Sequence, residues 1–272
     1  MAALVLNEEQ QMLKDAAKGF LSESAPISQL RQLRDNRDET GFSRELWQSM
    51  VEMGFVGTLM LEEFGGSAFG NVGMGQVFEQ AGRNLSVSPL LSSAVIGVCA
   101  LQLAGNSEQK QNLLPAIAEG RLLTALAADE SARHNPAKVA TTAASQGNGF
   151  VLNGQKSLVI DGHVADKLIV SARSSGAEHA REGISLFLVD RNAAGVSVER
   201  TIMVDSRNAA VVRFDNVQVE AAALLGEQGK GFEILDKILD VANAQLASEA
   251  VRRCAGLIPG FTAPLRTSVQ RD

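Results

Sequence analysis

Cysteine is scarce: Cys99 and Cys254 are the only two in 272 residues, far apart and outside any Cys-x-x-Cys spacing. That excludes a disulfide framework and a thiolate zinc site, and Cys99, inside an apolar stretch, reads as a small core residue. Positive charge is not in excess. Lys and Arg number 25 against 31 Asp and Glu, a net charge of −6. A nucleic-acid footprint needs a basic face to displace counterions from phosphates, so this balance argues against that partner. Long hydrophobic runs are missing as well. The uncharged stretch 84–107, "NLSVSPLLSSAVIGVCALQLAGNS", carries Pro89, several serines and Gln102. Its dense apolar part is about 10–14 residues, too short to cross a bilayer. It reads as a buried core helix capped by Ser88 with Pro89 in its first position. The opening "MAALVLNEEQ" turns acidic before a secretory h-region can form, and with the acidic balance this favours a cytoplasmic protein. Chemistry-bearing motifs are equally sparse. "EEFGGSAFGNVG" lacks both the Gly-Lys-Ser/Thr ending and the preceding strand of a phosphate loop. No serine sits in a nucleophile elbow, and no His/Cys/Asp/Glu grouping has metal-ligand spacing. Neither an internal repeat nor a low-complexity tract is evident.

What is present is a change of period. With 45% hydrophobic and 21% charged residues the chain is an ordinary globular one, long enough for a sizeable core. Up to about residue 123 it reads as helices. "LNEEQQMLKDAAKGFL" has Asn7 as N-cap, Gln10 at the reciprocal position, and a stripe of Met12, Leu13, Ala16, Ala17, Phe20 and Leu21. "SRELWQSMVEMG" is closed by Gly54, with Trp47 and Phe55 as core residues; helices follow near 74–81, 89–104 and "SEQKQNLLPAIAEG". Ser107 is the expected cap of that last helix, and Pro115 is expected to kink or split it. The charges at Lys14–Lys18 and Arg31–Arg37 read as helix faces and a solvated linker. After Leu126 the period becomes two, in "GFVLNGQKSLVI", "DKLIVSAR", "GISLFLVD", "GVSVER" and "AAVVRFDNVQV". No helix separates these runs, so the sheet should be largely antiparallel. Helical pattern returns in "KGFEILDKILDVANAQLASEAV", with a stripe of Phe232, Leu235, Ile238, Leu239, Ala242 and Leu246.

The fold class is therefore α+β. An all-α domain (1–123) precedes a central antiparallel β domain, sandwich- or barrel-like (124–225), and the first helix of a second helical domain (226–251). A tail (252–272) rich in Arg, Pro and Thr follows, with no apolar period. It reads as aberrant or disordered sequence that replaces further helices, through a frameshift or premature stop, with a natural short isoform as the alternative. On this reading the last helix has nothing to pack on and exposes its stripe, which predicts association or insolubility.

In order and spacing, "PLLSSAVIG", "LAGNSEQKQNLLPAIAEGRLLTALAADE", "GFVLNGQKSLVIDGHVADKLIVSARSSG", "GISLFLVDRNAAGVSV" and "VVRFDNVQVEAAALLGEQGKGFEILDKILD" resemble the acyl-CoA dehydrogenases over roughly 1–251. Within that family, "DESARHNPAKVATTA" and "QKSLVIDGHVADKLIVSAR" most resemble the small subunit of pimeloyl-CoA dehydrogenase. The resemblance implies FAD-dependent α,β-desaturation of an acyl-CoA thioester, in which a carboxylate takes the α-proton and the β-hydrogen leaves as hydride to the flavin. It also implies an oligomer, homomeric or with a larger subunit, and an electron-transfer acceptor protein. The family's first flavin-facing segment falls on Ala127, Ala128 and Asp129, with Asp129 and Glu130 where the family favours threonine and glutamate. The family's Gly-Ser-Asp is replaced by His134, Asn135 and Pro136, and its Trp-Ile-Thr by Leu158, Val159 and Ile160. An Asp-x-x-Arg becomes Asp240 and Asn243. So the flavin candidates are Ala127, Ala128, Asp129, Leu158, Val159 and Ile160; the substrate candidates are Asn135, Asp240 and Asn243. No residue is assigned as catalytic base, since the family takes that carboxylate from helices beyond the matched segments. Glu130 reads as an exposed loop carboxylate, His134 as a solvated residue without a titratable partner, and His163 and His179 as surface histidines. Three readings result: a dehydrogenase subunit without independent activity, a non-catalytic partner completing a larger subunit's flavin site, or a decayed product.

Overall fold

The computed structural model describes the main chain of residues 6–257, with side chains to Val251. Helix α1 (Glu8–Ser24) opens with the expected capping box: Gln10 N donates to Asn7 Oδ1 at 2.7 Å, and Asn7 N to Gln10 Oε1 at 3.2 Å. Its buried stripe is narrower than expected. Ala17 and Leu21 are buried, Leu13 and Phe20 half-buried, and Met12 lies in solvent. Helix α2 (Ile27–Asp35) buries nothing, as its charges suggest. Helix α3 (Arg44–Glu52) is capped by Ser43 and buries Leu46, Trp47 and Met50; α4 (Gly70–Asn84) starts inside the glycine-rich segment. The uncharged stretch forms a wide helical segment over Leu90–Gly97, every residue buried, running into α5 (Val98–Ala104). Ser88 does not cap it; Pro89 stands at the cap position without a side-chain bond. Helix α6 (Ser107–Ala118) is capped one residue earlier than expected, by Asn106 with Gln109 in a second capping box, and it runs unbroken through Pro115.

Five expected strands form: β3 (Gly149–Lys156), β4 (Lys167–Arg173), β5 (Ile184–Asp190), β6 (Val196–Ile202) and β7 (Asn208–Glu220). Three more join them: β1 (Thr124–Ala127), β2 (Thr142–Gln146) and β8 (Leu224–Leu225). "SLVI" is not strand, because the chain leaves β3 after Lys156. The order is β6-β7-β3-β2-β4-β5-β8, with β1 beside β4. Most pairings are antiparallel, but β1–β4 and β2–β4 are parallel, so the sheet is mixed. The β2–β4 joint is the single pair Thr142–Arg173. At this joint the sheet folds over into two leaves, and Phe150 of β3 meets Phe187 of β5 edge-on at 5.0 Å. One leaf is buried on both sides. Leu168, Val170, Phe187 and Val189 point into the sheet core, while Ile169, Leu186 and Leu188 point into the helical core. That is why β4 and β5 read as continuous apolar runs rather than alternations.

Helix α7 (Gly231–Leu257) overturns the expectation of an exposed stripe. Phe232, Leu235, Ile238 and Ala242 are buried, and the helix packs on α4, on α5, on the wide segment and on β5. Its partner is α4, some 150 residues upstream, rather than a helix that follows it. Glycine makes the approach possible: a Cβ at Gly82 of α4 would collide with the Glu249 main-chain carbonyl of α7. The helix also continues six residues past Val251, and the rest of the tail, 258–272, lies outside the described residues. Among the described residues no helix is long and apolar enough to cross a membrane, and no three metal-ligating side chains converge.

Candidate functional site

The two candidate segments leave strands that are not paired with each other: 128–141 follows β1, which lies beside β4, and 157–166 follows β3, which lies between β2 and β7. They are tied directly, since Ser157 N donates to Asp129 O at 2.7 Å. The second loop is also stitched to β7 through Val159 and Ala210, which exchange main-chain bonds at 3.0 and 2.9 Å. The candidates then differ in what they present. Ala127, Ala128 and Val159 are buried, so their side chains serve the core; Ile160 is half-buried against the helical core. Leu158 is 44% exposed in a left-handed conformation. Asp129 turns its carboxylate onto its own loop, accepting from Asn135 N at 3.1 Å and lying 2.8 Å from His134 Nδ1. His134 therefore does have a titratable partner, five residues away. Asn135 is exposed beside this pair. Asp240 and Asn243 are exposed on α7 and their side chains form no hydrogen bond or ion pair among the described residues, so nothing brings them to the two loops.

Beneath the first loop lies a charge pair. Lys156, the last residue of β3, is fully buried, and its ammonium donates to Ala128 O at 3.1 Å, Glu130 Oε1 at 2.8 Å and Ser171 Oγ at 3.0 Å. Glu130 is thus not an exposed loop carboxylate. It also accepts from Ala140 N at 2.7 Å and Thr141 N at 2.9 Å, closing the excursion 130–141 at its base. Burial acts to raise the Glu130 pKa, but Lys156 and the Thr141 bonds outweigh it and hold the group below its ordinary value. Burial pushes Lys156 down to about 8 despite the pull of Glu130. The ammonium is the weaker side of an ion pair that is formed at neutral pH. The signal for it was in the strand: Phe150, Leu152 and Lys156 are an even number of residues apart and all turn inward.

A second carboxylate, half-buried, sits in the other loop. Asp161, at φ +57°, accepts from Ser92 Oγ at 2.7 Å, and burial lifts its pKa to about 6 against Ser92 and Arg207, which act to lower it. Arg207 itself pairs with Glu249 of α7. His163 is likewise no surface residue: it is half-buried, with Nε2 3.0 Å from Thr40 O and Nδ1 buried without a partner among the described residues. His179 is exposed, as read. Arg173, at the end of β4, donates to the carbonyls of Val139, Glu178, Ala180 and Glu182 at 2.9–3.1 Å, joining the first loop to 174–183.

Chemically, the paired loops offer main chain more than side chain. The N–H groups of Asp129, Glu130, Leu158 and Ile160 have no partner among the described residues. Two such donors on each of two tied loops suit an acceptor-rich ring edge such as a flavin's pyrimidine, although the hydroxyl-bearing side chains are absent. The residues present thus fit that group through the backbone. The nearby carboxylates Asp129, Glu130 and Asp161 are all engaged.

Two family descriptions match the chain: the acyl-CoA dehydrogenase N-terminal domain over residues 7–121 and the acyl-CoA dehydrogenase middle domain over 124–217. Acryloyl-CoA reductase (NADH) of Anaerotignum propionicum is 32% identical over 261 residues, 93% of this chain and 65% of that protein. Mitochondrial isovaleryl-CoA dehydrogenase of Pongo abelii is 30% identical over 249 residues, 89% and 58% respectively. The chain thus spans 58–65% of the length of these two curated relatives. Among solved structures, an acyl-CoA dehydrogenase from Geobacillus kaustophilus superposes with a TM-score of 0.81 at 28% identity, covering 94% of this chain and 68% of that one.

Proposed function

The chain belongs to the acyl-CoA dehydrogenase family, and on that premise we propose that it is the flavin-cradling part of a cytoplasmic oxidoreductase acting on the α,β carbon–carbon bond of an acyl-CoA thioester. FAD would supply the hydride acceptor when bound. The observation that carries this reading is the Ser157–Asp129 tie, which sets the unpartnered N–H groups of Asp129 and Glu130 beside those of Leu158 and Ile160. Asp129, Glu130, Leu158 and Ile160 would hold the ring by main-chain contacts, which survive side-chain change while the loops keep their paths. Donors pre-aimed at an acceptor cost no reorganisation when charge builds on it, the source of most electrostatic catalysis.

Proton removal from the substrate is a different matter. Asp129 lies against Asn135 N and the His134 ring, Glu130 accepts from Lys156, Ala140 and Thr141, and Asp161 accepts from Ser92. We therefore assign the base to no residue in this chain and place it on a helix supplied by a larger acyl-CoA dehydrogenase subunit. The same engagement favours the second reading, a non-catalytic partner that completes a flavin site shared with that subunit. The test is flavin uptake by the purified chain, alone and co-expressed with a full-length family member from the same organism, followed by anaerobic addition of acyl-CoAs. Uptake of FAD with bleaching only in the presence of the partner is expected. Bleaching by the chain alone refutes the assignment of the base, and no uptake in either preparation refutes the flavin reading.

A further inference from the structure

We infer that Lys156 is a positioning residue for the flavin-facing loop: with Glu130 it forms a buried strut that sets the path of residues 128–130 and so the direction of their main-chain donors. The inference rests on the reading that the two loops hold FAD. An ammonium has three donors, and all three are used, on Ala128 O, Glu130 Oε1 and Ser171 Oγ. The first two acceptors flank Asp129: the bond to Ala128 O holds the peptide group before it, and the bond to Glu130 holds the residue after it through its carboxylate. The third belongs to β4, which anchors the clamp to the rigid leaf of the sheet. Ser157, next in the chain after Lys156, holds Asp129 O from the other side. One side chain thus fixes the end of β3, the exit from β1 and, through Glu130, the return of the loop at Ala140 and Thr141.

Stability alone does not account for this arrangement. A buried ion pair is often no better than well-packed apolar residues of the same volume, because both charges lose their hydration. What three directed bonds give and apolar packing does not is a single loop path, as satisfied buried polar networks do. Loops that hold a ligand by backbone rather than by side chain need that most.

The experiment compares the full chain with Lys156→Met and with Lys156→Met/Glu130→Gln, the second removing the pair without leaving a charge behind. Two independent readouts are taken: amide hydrogen exchange at Ala140, Thr141 and Ser157, which needs no flavin, and FAD titration with the visible spectrum of the bound ring. In the double variant, melting close to that of the parent is expected, with exchange at the three amides faster by about tenfold or more, weaker FAD binding and a shifted flavin band. Unchanged exchange overturns the strut, whether or not flavin binds. Faster exchange with unchanged FAD affinity and spectrum overturns the positioning role. A parent chain that takes up no FAD, alone or with its partner, overturns the flavin reading and the positioning role with it; the exchange result still distinguishes that failure from a failed strut.

Discussion

Replacing Asp161 by Asn should stabilise the protein at neutral pH and do nothing in acid. Asp161 is held at φ +57°, a left-handed conformation that Asn tolerates better than most residues, and Asn keeps a carbonyl oxygen for the Ser92 hydroxyl. What it removes is a charge that the surroundings disfavour. Burial raises the native pKa from 3.8 to about 6, with Arg207 the charged neighbour that partly opposes the rise. The sign follows from proton binding. Below about pH 4 the carboxyl is protonated in both the native and the unfolded chain, and no penalty exists. Between about 4 and 6 the unfolded chain gives up its proton while the native one keeps it, so stability falls as pH rises; above 6 the loss is complete. Roughly 2 pH units at 1.36 kcal/mol each make about 3 kcal/mol, and partial solvent access reduces the expected gain to about 1–3 kcal/mol at pH 7. Urea unfolding of parent and variant, followed by far-ultraviolet circular dichroism at pH 4, 5, 6 and 7, reads the difference directly, because other titrating groups cancel. A gap that is the same at pH 4 and pH 7, or a variant less stable at pH 7, refutes the reasoning.

The packing of α7 on α4 is open to a similar test. Gly82→Ala sets a methyl group against the Glu249 carbonyl and should cost about 1–3 kcal/mol in thermal or urea unfolding. Gly19→Ala, on α1 with nothing near its new methyl, should be neutral or gain about 0.5–1 kcal/mol. Arg173→Met strips donors from four well-bonded loop carbonyls and should cost about 3 kcal/mol or more. Limited proteolysis of that variant should show cleavage moving into 136–141 and 175–182, and an unchanged digestion pattern would argue against Arg173 as the tie between them.

Much of the architecture was legible one element at a time. The Asn7–Gln10 box and the five main strands need only neighbours within four residues or a period of two, and they form where those patterns lie. Strands β1 and β2, "TALA" and "TAASQ", were not legible, because small residues carry little β signal and acquire a ladder only when β4 and β3 are beside them. The candidate site divides in the same way. Family likeness located both loops, yet of the groups that organise them Glu130 read as an exposed loop carboxylate, and Lys156, Asp161 and Arg173 drew no reading until the fold enclosed them.

By itself, then, the amino-acid order determined the helix–sheet–helix succession, the Asn7 cap and the apolar faces, since each depends on torsional preference and hydrophobic spacing over a few positions. Only the tertiary structure decided which face met which. It covered the stripe of α7 with α4, folded the sheet at the Thr142–Arg173 joint, and turned charged side chains inward. The physical reason is that burial and pKa are set by groups distant in the chain, and a local pattern holds no record of which distant segment will arrive.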